Sequence, residues 1–305
     1  MAEIHHLGHG WVTPTVSYVL SVLGSLLGLT CAVRLRSSQS AGGRAWWLAL
    51  AAVAIGGTGI WTMHFVAMLG FSVVGSPIRY DVALTAASAI IAVVAVGLGL
   101  AIALLGSNAR HVRIVIGGVL AGLGVAAMHY TGMAAMRLDG RIDYGTTRVG
   151  MSIGIAVVAA TVALWLAVTV RKPIAIFGSA LIMGVAVNGM HFTGMSAMSV
   201  YRQDPVGPLA GATASSLLIP IGLAVIFGVL GLVYALMAAP TDEDRAGLAY
   251  IAARQGETDT PPARTTLGDA LGAALPPEGS DPRAPQPRRM PTSGSSWTFR
   301  DRANK

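Results

Sequence analysis

The chain is expected to fold as an all-α polytopic membrane protein with seven transmembrane helices, six of them forming three parallel two-helix repeats. Three observations predict this. Apolar residues make up 53% of the 305 positions and charged residues 11%, and the apolar ones gather in runs long enough to cross a bilayer. A tripeptide of Met, His and an aromatic residue recurs within those runs, at Met63-His64-Phe65, Met128-His129-Tyr130 and Met190-His191-Phe192. The connections between runs alternate between ones with no acidic residue and ones that hold Asp.

Taken in order, the first run, about 14–33, has no Lys or Arg before it and Arg34 and Arg36 after it. That is the charge order of an N-out anchor rather than of a cleaved signal. The second run, about 46–74, carries the first tripeptide. A plain run at about 82–105 precedes the second tripeptide, in a run at about 112–136. Another plain run at about 149–170 precedes the third, at about 174–198. The seventh, about 212–239, has no tripeptide and stands outside the repeat.

The odd-numbered connections carry Arg34, Arg36, Arg44, Arg110, Arg113, Arg171 and Lys172 with no acidic residue, whereas Asp81, Asp139, Asp143 and Asp204 lie in the even-numbered ones. The positive-inside rule then puts the N-terminus outside and the odd connections and C-terminus in the cytoplasm. The formal charge of +7 reports this topology, and no nucleic-acid partner is expected. A membrane domain over about 11–240 is followed by residues 241–305, rich in proline, whose nine basic and nine acidic side chains cancel. Such a segment buries too little surface to offset chain entropy and is expected to be a disordered cytoplasmic tail. Cys31 is the only cysteine, so a multi-thiolate metal site is excluded. His5, His6 and His9 stand ahead of the first run, on the outer side.

The repeat unit is one plain helix followed by one motif helix. An even number of spans gives every unit the same orientation, which suggests a pseudo-threefold axis along the membrane normal. The histidines are 65 and then 62 residues apart, each with a glycine seven residues before it (Gly57, Gly122, Gly184) and a methionine four residues after it (Met68, Met133, Met195). Copies two and three share His-aromatic-Thr-Gly-Met-x-Ala-Met, ending at Met136 and Met198. The first copy has Val66, Ala67 and Phe71 at the threonine, glycine and final methionine positions. At about 100° per residue, positions −7, 0, +4 and +7 fall on one helix stripe. Small residues on that stripe permit close helix approach, so the face that packs inward also carries imidazole and thioether.

A histidine in hydrocarbon is expensive enough to read as functional. The expected metal ligands are His64, Met68, His129, Met133, His191 and Met195. Imidazole with thioether, without thiolate or carboxylate, favours copper, Cu(I) in particular. Met63, Met128 and Met190 point about 100° away and become supporting residues. Tyr130, Thr131 and Thr193 either hold the ligands by hydrogen bonds or satisfy backbone carbonyls. Two structural readings stand beside this one: methionines as core filler and histidines as interhelical glue.

The literal string Met128-His129-Tyr130-Thr131 resembles the motif that names the MHYT domain, an integral membrane sensor of bacteria. The other two tripeptides look like its further copies. The resemblance covers roughly residues 11–240 and implies copper held near the outer membrane face, with oxygen, carbon monoxide or nitric oxide as the signal. Family members often continue into a cytoplasmic cyclase, phosphodiesterase, kinase or DNA-binding domain, and the tail here resembles none of these, so a separate cytoplasmic partner is expected to carry the output. No carboxylate lies within a span, so enzyme activity is not expected. Copper transport or acquisition is the alternative, and a structural subunit the third reading. Transport would call for further ligands in the inner half of the motif helices, where only apolar and small residues stand.

Overall fold

The computed structural model describes residues 4–5, 10–106, 108–203 and 207–239, together with 247, 250–252 and 254. His6, His9, Asp204 and most of the expected tail lie outside the described residues. Seven helical spans are present among the described residues. They are α1 (Val12–Ser37); a second span made of α2 (Ala41–Ala52), a π-helix (Val53–Thr62) and α3 (Met63–Met68); α4 (Val82–Leu104); α5 (Arg110–Ala134); α6 (Thr146–Thr169); α7 (Pro173–Ser196); and α8 (Ala214–Met237). The shortest span, 23 residues, is about 35 Å long at 1.5 Å per residue, enough to cross hydrocarbon.

Local chemistry starts several of these helices. The side chains of Ser40, Asp81 and Thr213 accept hydrogen bonds from the amides of Gly43, Leu84 and Ser216, and Pro173 opens α7, each supplying what a first turn lacks. Packing then sorts the faces by size. On α4, the buried residues are mostly small (Ser88, Ala92, Ala95, Gly99 and Ala103, beside Thr85, Val96 and Leu100) while Ile90, Val94 and Leu98 are exposed. Small residues inside and branched ones outside is the pattern of helices that meet each other inward and lipid outward.

The motif helices end earlier than their apolar runs, at Met68, Ala134 and Ser196 rather than near 74, 136 and 198. Six short strands take over: β1 (Ile4–His5), β2 (Ser72–Val73), β3 (Arg79–Tyr80), β4 (Met136–Arg137), β5 (Gly140–Tyr144) and β6 (Met198–Arg202), paired antiparallel as β1 with β2, β3 with β4 and β5 with β6. Met136 and Met198 therefore leave the helical stripe expected of them and open strands, opposite Tyr80 and Tyr144.

Each pair joins the start of a plain helix to the end of the motif helix that follows it. The amide of Asp81 donates to Ala135 and that of Gly145 to Ala197, both at 2.8 Å, six positions after His129 and His191 respectively. The unit is thus the plain-then-motif hairpin. Three units form a ring, with the π-helix against α4, α5 against α6 and α7 against α1. Arg36, at the end of α1, donates to the carbonyls of Val168 and Val170 at the end of α6, tying the first unit to the third. Only Leu232 of α8 is buried, so the seventh span lies outside the ring.

Candidate metal centre

His64 on α3, His129 on α5 and His191 on α7 are each 2% exposed or less. Their rings meet edge to face like propeller blades, with centroids 4.9, 5.0 and 5.1 Å apart. The Nδ1 atom of His64 lies 3.0 Å from that of His191 and 3.1 Å from that of His129. One ring nitrogen from each histidine lies within 4.8 Å of the other two.

Neutral imidazoles cannot satisfy one another in this arrangement. Each ring has one N–H and one lone pair, so the single in-plane site on His64 Nδ1 cannot serve two partners fully. The Nε2 atoms of all three are buried without a hydrogen-bond partner, a costly state in hydrocarbon. Nitrogens bound at about 2 Å to one ion stand roughly 3.3–3.6 Å apart, a few tenths of an ångström beyond the two short separations here. The three Nδ1 atoms fit a metal that accepts their lone pairs, with the proton of each ring then on Nε2.

Glycine makes the close approach possible. A Cβ on Gly132 would stand 2.3 Å from His64 Nε2, and one on Gly194 would stand 2.2 Å from His129 Nε2. Each is the residue three after the next repeat's histidine, so each imidazole is seated against the neighbouring motif helix. In the first copy that position is Ala67, which is buried. The glycine-to-alanine difference was visible among the repeats, but its meaning was not.

Around the trio the chain is layered. Met68, Met133 and Met195 are buried in one apolar cluster with Phe65, Tyr80 and Val200 toward the acidic end. Met128 and Met190 belong to the larger cluster toward the basic end, and Met63 is buried at 1% exposure. The Tyr130 ring sits edge-on to His129 at 5.0 Å, while its hydroxyl bonds Ser152 at 2.5 Å. Thr193 donates to the Gly189 carbonyl at 2.7 Å, the backbone role among the two open to it. Thr131 is half-buried.

Sequence reasoning missed two polar links beside the site. Trp61 Nε1 donates to Ser88 at 2.9 Å. Asn188 donates to the Gly184 carbonyl at 2.8 Å and to Ser21, whose hydroxyl donates to the Gly59 carbonyl of the π-helix. Trp61 and Asn188 both stand three residues before a histidine, a register outside the recurring tripeptide. At the acidic end, Asp81 accepts from the Leu84 amide and from Arg137, which hold its carboxyl below the usual range. Burial pushes the Tyr80 hydroxyl up to about 12.

The sequence profile of the MHYT family, described as "Bacterial signalling protein N terminal repeat", matches residues 57–118, 122–180 and 184–251. The chain belongs to the MHYT family. The profile's repeats begin at Gly57, Gly122 and Gly184, so they cut the same ring of helices in a different phase from the hairpins that the strands close. Among relatives of this MHYT protein, the bifunctional diguanylate cyclase/cyclic di-GMP phosphodiesterase MucR of Pseudomonas aeruginosa is 38% identical over 69% of this chain and 31% of its own length. The cyclic di-GMP phosphodiesterase NbdA of the same organism is 39% identical over 47% of this chain and 19% of its own. The signaling protein YkoW of Bacillus subtilis is 32% identical over 48% and 19%. The chain spans about a third or less of the length of these relatives. No solved structure matches it. It is a bacterial inner-membrane protein of a signalling family.

Proposed function

We propose that this MHYT protein is a sensor in which His64, His129 and His191 together hold one copper ion, with the N-terminus and the acidic end facing outward and the basic end in the cytoplasm. The observation that carries the reading is the meeting of three buried imidazoles whose Nδ1 atoms cannot satisfy one another. Met68, Met133 and Met195, buried on the acidic side of the trio, supply the soft donors that favour Cu(I). Copper held there would bind a diatomic gas or change redox state. Because each histidine is seated on a different unit of the ring, a change in the ligand set shifts three helix contacts at once. The membrane domain relays that shift to the cytoplasmic side.

Transport fits less well. Toward the basic end, the cavity beyond the trio is lined by apolar side chains apart from Ser25, with no imidazole and only the thioethers of Met183 and Met190 as soft donors, a sparse ligand set for passing copper inward. The test is the metal content of protein purified without chelators, wild type against His129→Ala and His191→Ala. Near-stoichiometric copper in the wild type and a loss of at least tenfold in both variants are expected. Metal-free wild type, or variants that keep their copper, would return the histidines to a packing role.

A further inference from the structure

We propose that the ring encloses a second site, an apolar cavity on the basic side of the histidines that takes up a small solute of diatomic size arriving from the bilayer between α6 and α7. The cavity has a volume of about 60 Å³ and is lined by residues from all six ring spans, among them Ser25, Ile55, Leu100, Val125, Ala163 and Met190. Met190, the residue before His191 on α7, lines the cavity, and none of the three histidines does.

Its chemistry selects the occupant. Ser25 is the only lining residue with a polar side chain, and a buried water needs two to four polar partners. The cavity is therefore dry. An engineered apolar cavity of about 150 Å³ accepts benzene or xenon; at less than half that size, this one accepts a single xenon atom or a diatomic molecule. Alanines on α6 create the space, since Ala156, Ala159, Ala160, Ala163 and Ala167 all border it.

A way in is visible. A wholly apolar cleft of about 510 Å³ lies between α6 and α7, and Ala159, Met183 and Ala186 line both it and the cavity. Its outer lining, including Val158, Val162 and Ile182, is exposed where hydrocarbon surrounds the protein. An apolar gas dissolved in the bilayer reaches the cavity by this route without crossing the acidic end. The inference deepens the proposed function by giving the ligand's class and path. It depends on that function only for its signalling meaning, because the cavity uses no metal.

The experiment is xenon binding to the full chain in nanodiscs, followed by ¹²⁹Xe NMR, on copper-loaded and chelator-stripped protein. One xenon site in both forms is expected, with affinity reduced at least tenfold by Ala163→Leu. Val158→Trp, which blocks only the cleft, should slow xenon exchange severalfold and leave occupancy intact. Wild type that binds no xenon, or a crystal structure with ordered water filling the cavity, would overturn the proposal. So would an Ala163→Leu variant that binds as before. Xenon bound to protein that never takes up copper leaves the cavity standing and removes the metal reading; copper without xenon does the reverse.

Discussion

The motif spans of the second and third repeats are unbroken α-helices, whereas that of the first passes through a π-helix from Val53 to Thr62 before reaching His64. All three have a glycine seven residues ahead of the histidine, yet these glycines are not equivalent in space. A Cβ on Gly122 would stand 2.5 Å from Val157 Cα on α6, and one on Gly184 would stand 2.8 Å from Val22 on α1. At Gly57 the nearest atom is 3.7 Å away, while Gly56 takes the tight position, 2.7 Å from the Ala92 carbonyl and 2.9 Å from Val93 Cα on α4. An i→i+5 turn holds one residue more than an i→i+4 turn, so the glycine in register moves back by one. The first repeat diverges in sequence and backbone, and still delivers its histidine to the shared point.

The sharpest way to break this comparison is at those glycines. Gly56→Ala and Gly122→Ala press a methyl against a neighbouring helix backbone that cannot yield as a flexible side chain would. Each should lower stability by about 1–3 kcal/mol, the usual range for overpacking, while Gly57→Ala should be neutral. Thermal melting in detergent measures all three. Equal effects at Gly56 and Gly57 would remove the register shift.

Next in size is the imidazole seat. Gly132→Ala and Gly194→Ala should push His64 and His129 from their positions and reduce copper retention at least tenfold. Ala67→Gly should cost only the helix-propensity difference, about 1 kcal/mol, and leave retention unchanged. Smaller again is Met133→Leu or Met195→Leu, which nearly conserves volume and should cost less than about 1.5 kcal/mol, yet weaken Cu(I) more than Cu(II) in competition titrations.

The smallest effect separates the second unit from the third at the acidic end. In the second, Asp81 caps α4 and pairs with Arg137 across the β3–β4 ribbon. In the third, Gly145 occupies the cap position and the ion pair, Arg141 with Asp143, lies within β5. The Asp81 carboxyl is held below its ordinary value. Its contribution is therefore complete above the ordinary carboxylate pKa of about 4 and lost as pH falls through the lowered value. Asp81→Asn should flatten that acid limb of the melting profile and change little at neutral pH. A wild-type profile with no acid limb would contradict the assignment.

Much of this architecture was legible in the residues. Run length and alternating loop charge marked seven spans, and constant spacing marked the two-span unit and the convergence of His64, His129 and His191. Helix ends were not legible, because Met136 and Met198 leave the helix to pair with strands more than 50 residues away in sequence. The π-helix was hidden for a related reason: it is a choice of backbone hydrogen-bond partner with no side-chain pattern of its own. The difference between Ala67 and Gly132 or Gly194 was in plain sight, but only the position of Nε2 gives it a cause. Tyr130 and Thr193 had several partners open to them, and Ser152 and the Gly189 carbonyl are tertiary and helical answers that residue type does not encode.

The central claim is that one ion is held by three histidines from three units. X-ray absorption at the copper edge of the loaded protein tests it most directly. Three nitrogen scatterers at about 2 Å are expected in the wild type, and two in the copper that His191→Ala takes up from excess metal. A spectrum without imidazole nitrogen, or one that His191→Ala leaves unchanged, would contradict it.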